Sequence, residues 1–198
     1  TIMKRSSIIL LSVAGILILA IFWGVSKYNG LVTKDEAVSG QWANVENQYQ
    51  RRADLIPNLV ATVKGYASHE SETLEGVVAA RAKATQITVD PNNLTPEKLQ
   101  QYQAAQGELS SALGKLLMIT ENYPELKANQ NFLELQAQLE GTENRITTER
   151  GRFNELSKDF NATVRKFPTN IVASLAGFEK KAYFEAEEGS EKAPEVKF

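Results

Sequence analysis

Phe132–Phe167 reads FLELQAQLEGTENRITTERGRFNELSKDFNATVRKF, and Phe132, Leu139, Ile146, Phe153, Phe160 and Phe167 recur in it at strict seven-residue spacing. Leu135, Leu156 and Val164 stand three or four residues beyond members of that set. An apolar residue every seven positions keeps one stripe turned toward a partner helix when the two supercoil to the left. The spacing predicts one long helix over 125–167, packed as the seam of a bundle or coiled coil. At 1.5 Å per residue such a helix is about 64 Å long.

Upstream, the same habit returns. Tyr102, Leu109, Leu116 and Tyr123 mark a helix over 95–122, opened by Thr95 as cap and Pro96 as first residue. Val89-Asp90-Pro91-Asn92-Asn93 is a loop before it, and Asn122-Tyr123-Pro124 a break after it. Leu59, Val63, Tyr66, Leu74 and Val77 indicate a helix over 54–87, and Val38, Trp42, Val45 and Tyr49 one over 28–52. Asp54 followed by Pro57 suggests the start of the second of these, because a first-turn proline loses no bond the helix needs. The alternative is a kink at Pro57 in one continuous helix. Phe167-Pro168 closes the last helix, since the residue before a proline is pushed out of helical geometry. Short connections make neighbours antiparallel, so the expected fold is all-α, an antiparallel four-helix bundle with long helices. The sevens would also suit a parallel oligomer, but four amphipathic helices can satisfy one another.

Before the bundle, Ile8–Val25 runs IILLSVAGILILAIFWGV without a charge. About 18 apolar residues suffice for a lightly tilted membrane helix. Lys4 and Arg5 precede the run, and Trp23, Lys27 and Tyr28 close it as interfacial anchors. A cleaved signal peptide is the rival, with Gly24-Val25-Ser26 as its small-x-small site, although the apolar core is longer than such peptides carry. The expected division is an anchor over 1–27, the helical bundle over 28–167, and a segment over 168–198. That last segment holds apolar Ile171, Val172, Leu175 and Phe178, then an acidic, mobile tail. The apolar piece could fold back on the bundle, lie at the membrane or meet a neighbour. The short basic amino-terminal flank favours that end inside the cytoplasm, with the body outside.

Composition excludes more than it assigns. Cysteine is absent, so disulfides, thiolate nucleophiles and cysteine-bound zinc are excluded. With 22 basic and 24 acidic residues and no basic stripe interleaved with aromatics, no nucleic-acid partner is expected. His69 is the single histidine. His69-Glu70 begins a zinc-protease pattern, but its second histidine would stand where Thr73 does. A carboxylate-bridged di-iron bundle would need glutamate where Tyr66 precedes His69. No Gly-x-Ser-x-Gly elbow and no phosphate-binding loop occur. No catalytic residue, metal or cofactor is therefore assigned. Arg81, Arg145, Arg150 and Arg152 can pair with Glu72, Glu75, Glu143 and Glu149, each exposed pair contributing well under ~1 kcal/mol. Arg51, Arg52, Asp54 and Asn58 form a polar cluster at the first helix junction, a candidate interaction site beside Ile171, Val172, Leu175 and Phe178.

A longer string has a family character. Tyr28-Asn29-Gly30-Leu31-Val32 is followed by Arg51-Arg52-Ala53-Asp54-Leu55-Ile56-Pro57-Asn58-Leu59-Val60, then Val63-Lys64-Gly65-Tyr66-Ala67, His69-Glu70 and Ala80-Arg81. Gln138-Leu139-Glu140-Gly141-Thr142-Glu143-Asn144-Arg145-Ile146, Phe153-Asn154, Phe167-Pro168-Thr169-Asn170-Ile171-Val172 and Gly177-Phe178 complete it. In this order, over nearly the whole chain, these residues resemble the LemA family. The resemblance implies a bacterial protein with one amino-terminal membrane helix and an antiparallel helical bundle, in the cytoplasmic (inner) membrane. It implies no reaction and no catalytic residues.

Two functions are expected from these readings. One is a non-enzymatic membrane-anchored scaffold, with membrane lipid and further copies of itself as partners. The other is an adaptor or sensor that binds a membrane protease or signalling protein through the bundle.

Overall fold

The computed structural model describes residues 5–185, and every regular element among them is helical. The elements are α1 (Arg5–Lys64), α2 (Ser71–Gln86), a 3-10 turn (Pro91–Asn93), α3 (Pro96–Thr120), α4 (Pro124–Lys127), α5 (Gln130–Arg165) and α6 (Thr169–Ala176). Lys4 and the acidic stretch after Glu185 lie outside the described residues. The chain divides into two compact units. One takes the residues up to Gly40 with Glu155–Lys181, the other Gln41–Asn154 with the chain from Ala182. This partition differs from the expected division at 27 and 167, because α1 and α5 each contribute to both units.

The expected break at Asp54 does not occur. α1 is one helix of 60 residues with Pro57 inside it. A proline there has no N–H for the carbonyl of Ala53, four residues back, and Ala53 is a buried residue, 3% exposed. Arg81 of α2 supplies the missing donor, its Nε lying 2.7 Å from Ala53 O. The continuous alternative is the one the chain adopts. The break falls instead after Lys64, where Tyr66 and Ala67 both donate to Val63 O at 3.0 and 2.8 Å and close the helix.

The helix expected over 125–167 is also divided. Pro124 opens the single turn of α4, and Asn129 then caps a new helix, its Oδ1 accepting from Phe132 N at 3.0 Å. The cap at Thr95 is as expected, accepting from Lys98 N at 3.3 Å with Pro96 following.

In the larger unit, Ile56, Leu59 and Val63 of α1 meet Leu74 and Val77 of α2, Leu109 and Leu116 of α3, Leu126, Phe132 and Leu139 in one core. The α2–α3 pair is antiparallel: Tyr123 beyond α3 donates to Glu70 before α2, while Lys83 and Glu108 pair at 2.7 Å. α1 and α5 are antiparallel as well, since Gln41 meets Glu149 and Arg52 meets Glu143. The seven-residue stripe is the buried side of α5. Phe132, Leu139, Ile146, Phe153 and Phe160 are all buried. Phe167 departs from it, 81% exposed, because α5 has ended at Arg165 and the stripe no longer has a helix to follow.

In the smaller unit, Leu31, Val38 and Phe160 are buried, and Lys34 pairs with Asp159. Asp35 pairs with Lys181. α6 stops at Gly177, whose φ of 75° lets Phe178 N reach back to Ala173 O at 3.0 Å. Phe178 then packs on Tyr28 and Phe160, with centroids 5.9 and 6.1 Å apart.

Candidate functional site

Tyr49, Arg52, Ile56 and Leu59 fall at helical spacing on the inner side of α1, and all four are buried. A guanidinium cannot be left there without partners, because an uncompensated buried charge costs several kcal/mol, ~3–5 when a pair is broken. Arg52, 1% exposed, is compensated from three directions. Its Nη1 donates to Ser110 Oγ at 2.6 Å and to Glu143 Oε1 at 2.7 Å. Its Nη2 donates to the side-chain and backbone oxygens of Gln106 at 2.7 and 3.0 Å. The Tyr49 ring lies under the cation, 5.1 Å from centroid to guanidinium carbon.

Tyr49 and Tyr102 meet edge to face at 5.4 Å. Burial pushes the Tyr49 hydroxyl above its ordinary value, while Arg150 and Arg52 pull it partly back. Burial also raises Tyr102, helped by the neighbouring Tyr49 and Glu46. Both phenols therefore stay neutral hydrogen-bonding groups through the ordinary pH range. Glu46 itself is raised by loss of water around it.

An open groove of about 540 Å³ runs beside Arg52, lined also by Gln103, Gln106, Glu143, Arg150 and Glu185. It offers amides, hydroxyls and charges of both signs. It does not pair a nucleophile with a base. His69 is exposed in the turn between α1 and α2 rather than on a helix. Among the described residues no group of three or more His, Asp or Glu is placed to hold a metal ion.

One edge of the site is the segment Ala182–Glu185, to which no regular secondary structure is assigned. Phe184 is buried, stacked on Trp42 at 5.8 Å and 12°, and edge-on to Phe153 at 5.4 Å. Trp42 in turn meets Tyr102 at 5.3 Å and Phe153 at 5.7 Å. Asn154 grips the backbone of Phe184 from both sides: Oδ1 accepts from its N–H at 2.8 Å and Nδ2 donates to its carbonyl at 2.9 Å. Gln103 does the same to Glu185, at 3.2 and 2.9 Å, and Arg150 donates to the Glu185 carbonyl at 2.9 Å. In the smaller unit Asn161 holds Lys181 in the same two-bonded way, at 2.7 and 2.9 Å.

The cluster expected at a helix junction is not assembled. Without a junction, Arg51, Asp54 and Asn58 fall on an exposed stripe of α1, and Arg52 turns inward alone. Asp54 accepts from Gln50 at 2.7 Å, one helical turn away. Of the expected arginine pairs, Arg152 meets Glu149 at 3.1 Å, whereas Glu143 is taken by Arg52. Arg81 serves the backbone instead. On α6, Ile171 and Leu175 are exposed, while Val172 and, just past its end, Phe178 are half-buried. The expected site took up no sequence signal for Gln103, Gln106, Ser110 or the strap formed by Ala182–Glu185. One was present: Asn154 and Asn161 each follow a phenylalanine of the seven-residue stripe, which puts two amides on one edge of the seam.

The profile of the LemA family matches residues 41–198. This chain belongs to the LemA family. Among individual proteins it is similar to Magnetosome protein MamQ 2 of Paramagnetospirillum magneticum, 27% identical over 183 residues, covering 80% of this chain and 65% of that protein. It is also similar to Magnetosome protein MamQ of Magnetospirillum gryphiswaldense, 26% identical, covering 80% of this chain and 64% of the relative. Protein LemA of Metamycoplasma hominis is 26% identical, over 87% of this chain and 76% of its own length. The chain thus spans just under two thirds of the magnetosome relatives. With the helix that contains Ile8–Val25, long and apolar enough to cross a membrane, these findings indicate a membrane-associated LemA-family protein.

Proposed function

We propose that this LemA-family chain is a non-enzymatic scaffold, anchored once in the bacterial cytoplasmic membrane and assembling with further copies of itself. The observation that supports the reading is α1. Its apolar stretch is exposed throughout, and the same helix continues without a break into buried contacts with α2, α3 and α5. One helix that carries both surfaces supports the reading of an anchor followed by a folded body. In this reading α1, α2, α3 and α5 form an antiparallel four-helix bundle, the body lies outside the cytoplasm, and lipid surrounds Ile8–Val25. The magnetosome names of two relatives agree with a role at membranes.

The proposed contact between copies is the outer side of α6. Ile171 is 51% and Leu175 85% exposed, and each lies one turn from the other. Two-dimensional tethering lets such small contacts accumulate. The test is the particle size of the full chain in mild detergent. The parent is expected as a homo-oligomer, and Ile171→Ser with Leu175→Ser as smaller particles of unchanged helical content. A monodisperse parent monomer overturns the scaffold.

The exposed stripe Arg51, Asp54 and Asn58 favours a second reading, an adaptor that presents this polar surface to another membrane protein. Crosslinking from native membranes distinguishes the two. An adaptor yields a partner lost on Arg51→Ala with Asp54→Ala, a scaffold chiefly the chain itself.

A further inference from the structure

In the smaller unit α5 runs back toward the apolar stretch of α1 and ends level with its border. Lys34 pairs with Asp159. The two helices are antiparallel, so the six residues from Asp159 on to Arg165 match the six from Lys34 back to Tyr28. Phe178, beyond α6, returns to the same level, its ring 5.9 Å from that of Tyr28. Val25, the last residue of the apolar stretch, stands three residues before Tyr28, about 5 Å along the helix axis. The corner between α5 and α6 therefore lies at the height of that border.

The corner is unlike the rest of the unit. Arg165, Lys166 and Phe167 are all exposed, Phe167 by 81%. Farther from the apolar stretch, Lys34 and Lys181 are paired with Asp159 and Asp35. Among the described residues no ion pair reaches Lys27, Arg165 or Lys166. Glu179 is the one acid beside Phe178, and Lys180 follows it. Unpaired cations next to an exposed ring are the composition of an interfacial membrane contact, in which the ring leaves water while the cations stay among headgroups.

We propose that Arg165, Lys166 and Phe167 form a second membrane contact, with the Phe167 ring at the boundary of the acyl chains and the two cations on the phosphates of anionic lipid. The proposal rests on the reading of Ile8–Val25 as a membrane span and does not require the contact between copies. A span alone leaves the body free to tilt and to turn about α1. A second contact beside it fixes both, and makes the orientation of the body depend on the charge of the lipid.

The chain has no native cysteine, so single positions can be labelled. A nitroxide is placed on Leu17→Cys within the apolar stretch, on Phe167→Cys, or on Glu36→Cys, an exposed position eleven residues beyond Val25 and about 16 Å farther along α1. Each full chain is reconstituted in phosphatidylglycerol or phosphatidylcholine vesicles, and collisions with lipid-soluble oxygen are compared with those of a water-soluble nickel chelate. Oxygen is expected to dominate at Leu17 and Phe167, and the chelate at Glu36. If Phe167 behaves as Glu36 does while Leu17 stays in lipid, the second contact is overturned and the anchor stands. The chelate dominating at all three positions removes the span and the inference with it. In the Phe167→Cys chain the oxygen preference is expected to be several-fold greater in phosphatidylglycerol than in phosphatidylcholine, and Arg165→Gln with Lys166→Gln to abolish that difference. Equal preference in the two lipids with Arg165 and Lys166 in place overturns the assignment to anionic lipid. Circular dichroism of each variant confirms that the helices are retained.

Discussion

Between Ile8 and Val25, α1 is apolar on every side and its large side chains are exposed, whereas from Leu31 to Val63 apolar residues recur along one side and are buried. The same helix thus has two kinds of apolar surface. An all-round apolar surface has no polar side to give to water and suits a lipid surrounding. A one-sided surface needs a protein partner, and here it finds α2, α3 and α5. What separates the two stretches is where the apolar residues stand, on every side in the first and along one side of an otherwise polar helix in the second.

The sharpest way to break this comparison is to remove one large side chain from each kind of surface. Trp42→Ala or Phe153→Ala takes out a ring less than 2% exposed, touched by other aromatic rings on several sides. Each is expected to destabilise the body by ~3–5 kcal/mol through lost transfer energy and the cavity left behind. Leu17→Ala, at a position 57% exposed, is expected to change urea unfolding of the body by less than ~0.5 kcal/mol. Comparable losses at Leu17 and Phe153 in detergent would mean that the first stretch is packed against protein.

Periodicity also explains what could be read beforehand and what could not. The stripe from Phe132 to Phe160 was legible because each member is buried for the same reason, at one spacing, in one helix. Phe167 broke the rule because Pro168 ends the helix first, a boundary the repeat itself does not mark. Pro57 misled in the opposite direction. Local chemistry favours a helix start there, and the bond that permits continuation comes from Arg81, 28 residues away. The inward turn of Arg52 followed from the same error: with a junction at Asp54, Arg51 and Arg52 looked equivalent. The strap was missed because a short aromatic segment after α6 has no period, and its place is set by Asn154 and Gln103 on other elements.

Arg51 and Arg52 therefore give a second, smaller test within the buried stretch. Arg52→Ala removes bonds to Ser110, Gln106 and Glu143 and leaves the Gln106 side chain in a dry site. Glu143, 44% exposed at its side chain, can recover water, which limits the loss to ~2–3 kcal/mol. Arg51→Ala, on the exposed stripe, is expected within ~0.5 kcal/mol of the parent. Equal effects from the two neighbours would restore the junction and its polar cluster. Chemical denaturation of the two variants side by side decides it.

A third test, read from a coupling rather than a loss, concerns the way α1 passes Pro57. Arg81→Ala leaves the buried Ala53 carbonyl without the donor that stands in for the absent N–H, at a cost of ~1–3 kcal/mol. Pro57→Ala returns an N–H four residues beyond Ala53, so the carbonyl regains its helical partner whether or not Arg81 is present. The cost of Arg81→Ala is then expected to shrink by ~1 kcal/mol in the Pro57→Ala background, read from a double-mutant cycle in urea. The sign of that coupling matters more than its size. If Arg81 served only as a surface charge, its removal would cost the same with proline or alanine at 57, and the coupling would vanish. A positive coupling shows that α2 repairs the hydrogen-bond ladder of α1. Continuity of the buried stretch past Ala53 would then depend on a side chain of another helix as well as on the sequence of α1.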